Sequence, residues 1–515
     1  MVLVILAYTA LLVYLGRLGR RKACNLNFIT GGRQFSASQV FFMMSALWCS
    51  WIFVVEIESA YLFGISAVWF GVGVGIMAVA GGILMGTPLS KLSYVTTSGV
   101  LGERFGRLAG TITGLVLGIT FPIFAMSNVL AAAAFIHAVM GWQLLATLVG
   151  TVAVMLSYII YGGMWALAYV QIANLVIITI GLVVGAVFAL HAVPLTAVPD
   201  LLPARYTRWN GVGTSTILVW IISDLLAVVS AQAEFQILMA ASDRRQARRG
   251  LGWAMVSVGL FSILSALIGL CVKAATGNAY SQGILALPQF FLNHAPGWVS
   301  VIMALAVWAS ALAWSAPLMF SGASSLGADV IHPVLSSGSA DRTKLCVQIC
   351  LPVQAVLVVS YALVRPDHLA WWQVFSMTIR NGAIFAPTIA LLVWPVVKKG
   401  AAIISMLLGS GSGLAWNVLG GFSTAHFVMG VDPVWISAIV AIVSLIVATL
   451  LMEAGFYRIN VSAANSRLGW TFMVAAAGCC VLVVSGHEPP SFGGPLALVA
   501  ALSVFGLCSL GVQKM

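Results

Sequence analysis

The sequence predicts an all-α polytopic membrane protein with about 15 transmembrane helices, a 5+5 inverted-repeat core and extra peripheral helices, and three observations predict it. The 515 residues are 61% hydrophobic and only 7% charged, a balance far from that of a water-soluble globule. Apolar residues gather in runs of about 20, the length that crosses a hydrocarbon core ~30 Å thick, whereas a transmembrane barrel would show short alternating segments. The basic residues sit singly or in small groups at the ends of these runs, so the net charge of +11 reports topology rather than a nucleic-acid partner.

The expected spans are 2–16, 38–64, 67–90, 108–140, 142–163, 167–192, 213–236, 250–275, 298–330, 345–364, 371–396, 400–420, 433–452, 468–486 and 495–511. The first is followed by Arg17, Arg20, Arg21 and Lys22, the reverse of a signal peptide's charge order. It therefore reads as a retained helix with its N-terminus outside. Counting from there, loops on the inner side collect 19 of the 24 Lys and Arg, with Arg205, Arg208 and Arg365 outside, Lys273 at the outer end of its span and Arg380 alone deep within one. The expected placement is an integral protein of a bacterial inner membrane, C-terminus cytoplasmic. The connections near 193–212 and 276–297 should carry short surface helices over an outer vestibule, the first shaped by Pro194, Pro199 and Pro203. The eight cysteines, among them Cys49, Cys271, Cys479 and Cys480, lie mostly in apolar runs without a CxxC spacing and read as reduced packing residues.

Span 38–64 carries two acids, Glu56 and Glu58, where lipid tolerates none; an isolated charge at mid-bilayer costs roughly 2.5 kcal/mol or more. Five spans later another acid, Asp224, stands in WIISDLLAVVSAQAEFQ. Five is odd, so two successive five-helix units run in opposite directions, the construction of an inverted-repeat transporter whose sites lie where the first helix of each repeat is broken. Residues 1–30 then form a peripheral helix and loop, 31–200 the first repeat, 201–400 the second, and 401–515 peripheral helices.

Several segments, in this order and spacing, carry a likeness to one family: GGRQFSASQ before the second span, RFGRLAG, YGGMWALAYVQIANLVIITIG, AQAEFQILMAASDRRQARRG, SGASSLGADVIHP and NGAIFAPTIALLVWPVVKKGAA. The chain resembles the sodium/solute symporters, which have a leucine-transporter-type fold and include carriers of proline, sugars, sialic acid and monocarboxylates. The resemblance implies a cation site made of backbone carbonyls at Ala46 and Cys49 with carbonyl and hydroxyl oxygens at Ser310, Ala313 and Trp314. It places the nearby carboxylate at Gln171 and a second acid at Trp48. Ser315 substitutes for a hydroxyl only with a helix shift. Hard cations need several oxygen ligands, and the loss of oxygen at these positions favours a proton over sodium as the coupling ion.

From the outer helix ends, Glu58 should lie ~9 Å deep, Glu56 ~12 Å, Arg380 ~14 Å and Asp224 ~16 Å, one shared layer. On a continuous helix Glu58 shares a face with Trp48 and Trp51, and Glu56 one with Ser45 and Cys49. The substrate cavity is accordingly expected from Trp48, Trp51, Glu58, Trp220, Asp224 and Arg380, and ion coupling from Ala46, Cys49, Glu56, Gln171, Ser310 and Ala313, with Glu56 as proton carrier. Arg380 is either a forked clamp for an anionic solute or the partner of Glu58 or Glu56. Glu234, near a span end, is expected to pair with Arg244. No Walker sequence or clustered His/Cys spacing supports an enzyme, and no cofactor beyond the coupling cation, proton or sodium, is implied. The function expected is a secondary transporter importing a small polar, carboxylate-bearing solute. A ligand-sensing receptor and an uncoupled uniporter or channel are the alternatives.

Overall fold

The computed structural model describes residues 2–23, 27–84, 96–280, 283–335, 340–364, 369–394, 396–423, 427–452, 457–458, 493–511 and 513–514. Lys91, Arg365, His426, Cys479, Cys480 and the expected span 468–486 lie outside them. Helix dominates because a backbone that bonds within its own segment needs no partner from lipid. The chain runs through α1 (Val2–Lys22), α2 (Ala37–Trp51), α3 (Ile57–Phe63), α4 (Trp69–Leu84), α5 (Thr97–Phe105) and α6 (Arg107–Met140). Next come α7 (Leu144–Ala192), α8 (Thr214–Ala227), α9 (Gln232–Met239), α10 (Arg244–Thr276), α11 (Gly283–His294) and α12 (Gly297–Ser324). The order ends with α13 (Ala340–Val364), α14 (Leu369–Val393), α15 (Lys399–Leu419), α16 (Pro433–Met452) and α17 (Gly493–Gly511). Among the described residues the β structure is one antiparallel pairing of Tyr457–Arg458 with Gln513–Lys514 and a single bridge from Phe35 to Ala241.

Among the described residues, ten helices are long and apolar enough to cross a membrane, eleven if the bent pair α8 and α9 counts as one span. Two of the ten, Ala37–Leu84 and Leu144–Ala192, run to 48 and 49 residues. At 1.5 Å per residue each would be ~72 Å long, over twice the hydrocarbon thickness, so neither can be one straight crossing. Glycine interrupts both. Gly64 takes φ 75 and ψ −153 at the end of α3, and Gly163 takes φ 52 and ψ −140 inside α7, conformations that only glycine adopts without strain.

The helices that matter for the site pack at the centre. α12 lies against α6 and α7, α2 and α3 lie against α10, and α14 lies against α6 and α8. α1 runs along α7, while α15 and α16 pair with each other and with α14. The start of α2 is fixed by a capping box, with the Ser36 hydroxyl accepting from the Gln39 amide and the Gln39 side chain accepting from the Ser36 amide. Phe35 then exchanges backbone hydrogen bonds with Ala240 and Ser242, and Gln246 accepts from the Ala37 amide. The N-termini of α2 and α10 are thus tied together.

Two further deformations shape the site. Between α2 and α3 the backbone makes a π-helical turn, Ile52–Glu56. Between α8 and α9 it leaves the helix at residues 228–231 and bends by 44°. A π turn holds one extra residue and delays everything after it by ~100°. Glu58 is therefore rotated off the tryptophan face on which a continuous helix would place it.

Candidate functional site

The break at 228–231 is gripped from both sides by one residue. Asn381 on α14 donates through Nδ2 to the Ser223 carbonyl at 2.9 Å, and its Oδ1 accepts from the Ser230 hydroxyl at 2.5 Å. This brings its chain neighbour Arg380 onto a cavity of about 300 Å³ that Asp224 and Glu234 also line. Arg380 is buried, with Cζ 4.9 and 4.8 Å from the ring centroids of Phe121 and Phe124. Its Nε and Nη1 have no hydrogen-bond partner among the described residues. Asp224 and Glu234 are the carboxylates whose charges act on it.

Each acid keeps an oxygen unsatisfied. Asp224 Oδ2 and Glu234 Oε2 are buried without a donor among the described residues, while Glu234 Oε1 accepts from Trp48 Nε1 at 3.4 Å. The rest of the wall is aromatic. Trp51 stacks on Trp314 at 5.9 Å and 21°, and Trp314 is held by donating through Nε1 to the Phe124 carbonyl at 2.9 Å. Trp51 Nε1 has no acceptor. Trp220 lies one ring back, stacked at 4.0 Å on Phe70, which in turn meets Trp51 edge-on.

Of the expected cavity residues, Trp48, Trp51, Asp224 and Arg380 come together. Glu58 does not join them. It lines a separate cavity with Phe135 and Leu287, as the π turn dictates. The sequence reading also missed Glu234, which was placed near a cytoplasmic end beside Arg244. The break at 228–231 instead returns it beneath the cavity. The signal was available in Ser230 and Gln232, small polar residues in the middle of a membrane segment, where a continuous apolar helix has no use for them. Arg380 accordingly faces Asp224 and Glu234, not Glu56 or Glu58.

The residues expected to handle the ion are spread over other contacts. Gln171 donates through Nε2 to the Ala313 carbonyl at 2.8 Å, Asn174 donates to Gln171 Oε1 at 3.1 Å, and the Tyr8 hydroxyl donates to Asn174 Oδ1 at 2.7 Å. The Ser310 hydroxyl bonds its own helix at Val307, and the Ser315 hydroxyl bonds the Ala125 carbonyl. Ala46 and Cys49 are fully buried on α2, with Cys49 Sγ 3.5 Å from the Ser257 hydroxyl. Glu56, also fully buried, accepts from the Ser262 hydroxyl of α10 at 2.7 Å and keeps Oε2 without a donor.

A central cavity bordered by a broken helix, inside a bundle of this length, has known counterparts. The sodium:solute symporter family matches residues 28–409. The chain belongs to that family. This symporter is 22% identical over 436 residues to the monocarboxylic acid transporter of Corynebacterium glutamicum, covering 76% of this chain and 78% of that protein. It is 21% identical over 467 residues to the osmoregulated proline transporter of Bacillus subtilis, covering 85% and 93%. Its fold matches that of a Na+-coupled sialic acid symporter in a substrate-bound outward-open state, with a TM-score of 0.73 and 15% identity over 88% of this chain and 97% of that one. The symporter is an integral membrane transporter, not an enzyme, and its family implies a small-molecule solute and a coupling cation.

Proposed function

We propose that this symporter imports a small polar solute bearing a carboxylate, held by Arg380, and that a proton rather than sodium is the coupling cation. One observation carries the solute reading: a permanently charged guanidinium is buried on a cavity with two of its nitrogens unpartnered. Its forked donors suit a carboxylate, and an unpartnered buried charge is costly until a ligand meets it. The proton reading is supported by Gln171, an amide where the resemblance implies a carboxylate, and by Glu56, a buried acid whose second oxygen has no donor among the described residues.

In this reading residues 31–200 and 201–400 are the inverted repeats, the deformed segments at 52–56 and 228–231 mark their first helices, and about 15 helices cross the membrane in all. Movement of a four-helix bundle against the scaffold exposes the cavity to each side in turn. The positive-inside pattern supports an N-terminus outside and a C-terminus in the cytoplasm, and the reading takes the membrane to be a bacterial inner membrane.

Uptake into proteoliposomes under separately imposed proton and sodium gradients tests this. Accumulation of a small carboxylate solute is expected with an inward proton gradient and no sodium, and Glu56→Gln should lose accumulation while retaining solute exchange. A strict sodium requirement at fixed pH sinks the proton reading. Equilibration without accumulation under either gradient would make the protein a uniporter, the reading that the Gln171 contact favours second.

A further inference from the structure

Two acids and one base line the central cavity, and among the described residues Nε and Nη1 of Arg380 have no hydrogen-bond partner. We infer that the solute is a zwitterion, with its carboxylate on Arg380 and its ammonium on Asp224 and Glu234, flanked by the faces of Trp48, Trp51 and Trp314. The inference rests on the reading of this cavity as the solute site and names the second charged group the solute must bring.

The unmatched groups form two complementary sets. On one side are donors without acceptors, Arg380 Nε and Nη1 and Trp51 Nε1; on the other are acceptors without donors, Asp224 Oδ2 and Glu234 Oε2. The two acids and the arginine are at least nine-tenths buried, at 3%, 7% and 1% exposure. A buried polar group without a partner costs about 1–3 kcal/mol, and more when charged. A simple carboxylate would satisfy Arg380 yet bring a third negative charge beside two unserved acids. A simple amine would serve the acids and leave the guanidinium bare. A neutral polyol offers hydrogen bonds to both but compensates neither charge. Only a solute carrying both charges answers both sets.

The aromatic residues favour the same assignment. Tryptophan is the strongest partner for a cation over its ring face, more so when water is excluded, and Trp51 and Trp314 stand nearly parallel in the wall beside the acids. Trp48 is oriented by its hydrogen bond to Glu234, so that acid both binds and positions. Asp224 Oδ2 packs against Gly73, where a Cβ would lie 2.5 Å from it, so only glycine leaves the carboxylate in this place.

The test pairs zwitterions with isosteres in which carbon replaces the charged nitrogen. Glycine betaine is set against 3,3-dimethylbutanoate, L-alanine against 2-methylpropanoate, L-leucine against 2,4-dimethylpentanoate and L-proline against cyclopentanecarboxylate, with choline as the cation lacking a carboxylate. Affinities come from thermal-shift titration of the purified full chain. At least one zwitterion is expected to bind ten-fold or more tighter than its isostere and than choline. Glu234→Gln and Asp224→Asn should each bring that ratio towards one, while Glu234→Asp, which keeps the charge, should retain the preference; reading a ratio within each variant separates recognition from stability. Equal or tighter binding of every isostere, tighter binding of choline, or no shift with any zwitterion overturns the inference. Accumulation of an isostere as avidly as its zwitterion removes the ammonium site and leaves the carrier. A zwitterion bound with the stated preference but never accumulated under an imposed gradient removes coupled transport and leaves the ligand.

Discussion

Gln171 shows how one amide sets the chemistry of a buried position. It donates to the Ala313 carbonyl, and Asn174 and Tyr8 fix its orientation from behind, so a chain of three hydrogen bonds links α1, α7 and α12. The amide occupies one of this carbonyl's two lone pairs and presents the positive end of an N–H to any cation that approaches it. Replacing the amide by a carboxylate reverses the preference: Gln171→Asp removes the donor and supplies a charged oxygen ligand. Purified Gln171→Asp should lose about 1–3 kcal/mol of stability from the orphaned carbonyl and regain part of it in NaCl relative to KCl at equal ionic strength. The wild-type protein should show no such sodium-specific shift. A variant equally blind to sodium would show that this carbonyl has no part in ion binding. The residue types at 171, 313 and 314 were legible in the sequence as departures from oxygen ligands. The partner of Gln171 was not, because a side chain's choice of acceptor depends on which helix lies opposite.

At the scale of the element, the breaks decide the site. The sequence shows where apolar runs start and stop because burial in lipid enforces composition, and α1, α6, α14 and α16 fall on runs that composition alone delimits. It does not show helix phase. The π turn at Ile52–Glu56 has no Gly or Pro to mark it, and its ~100° delay is what separates Glu58 from Trp48 and Trp51. Where glycine does carry the break, the consequence is measurable. Gly163 sits at φ 52, and a Cβ there would strike the Phe28 carbonyl. Strain in such a conformation costs of order 1–3 kcal/mol before the clash is added. Gly163→Ala should therefore lower the thermal midpoint of the purified protein by several degrees. Gly259→Ala on α10, where a Cβ meets open space in ordinary helix, should leave it unchanged or slightly raised, since alanine is the better helix former. Equal effects at the two positions would show that the bend at Gly163 is not glycine's doing.

For the whole molecule, the question is what holds one side shut. Below the central cavity lies a second, larger one of about 540 Å³, sharing Trp48, Met77 and Glu234 with the first and reaching Thr97 at the start of α5. Its far end is closed by a polar cluster centred on Gln232, which follows the break. Gln232 accepts from the Thr97 amide at 3.1 Å and the Ser325 hydroxyl at 2.8 Å and donates to the Ser321 carbonyl at 2.9 Å. Asp329 accepts beside it from Ser98 at 2.6 Å and Thr96 at 2.8 Å. These bonds join α5, α9 and the end of α12, the elements whose separation the proposed transport requires on that side. The cluster favours the closed arrangement by whatever it contributes there and loses on opening, and a ligand or mutation shifts the balance only through that difference. Removing Gln232's three bonds should lower the closed state's advantage by about 1.4 kcal/mol or more, a ten-fold change in the equilibrium. Val229, which lines the inner cavity, is the reporter. In a background carrying Val229→Cys, Gln232→Ala should raise the rate of modification by a membrane-impermeant maleimide several-fold, and only when the reagent is applied from the side bearing Asp329. An unchanged rate, with the protein still folded by its thermal midpoint, would mean that these bonds hold the helices together in every state and gate nothing.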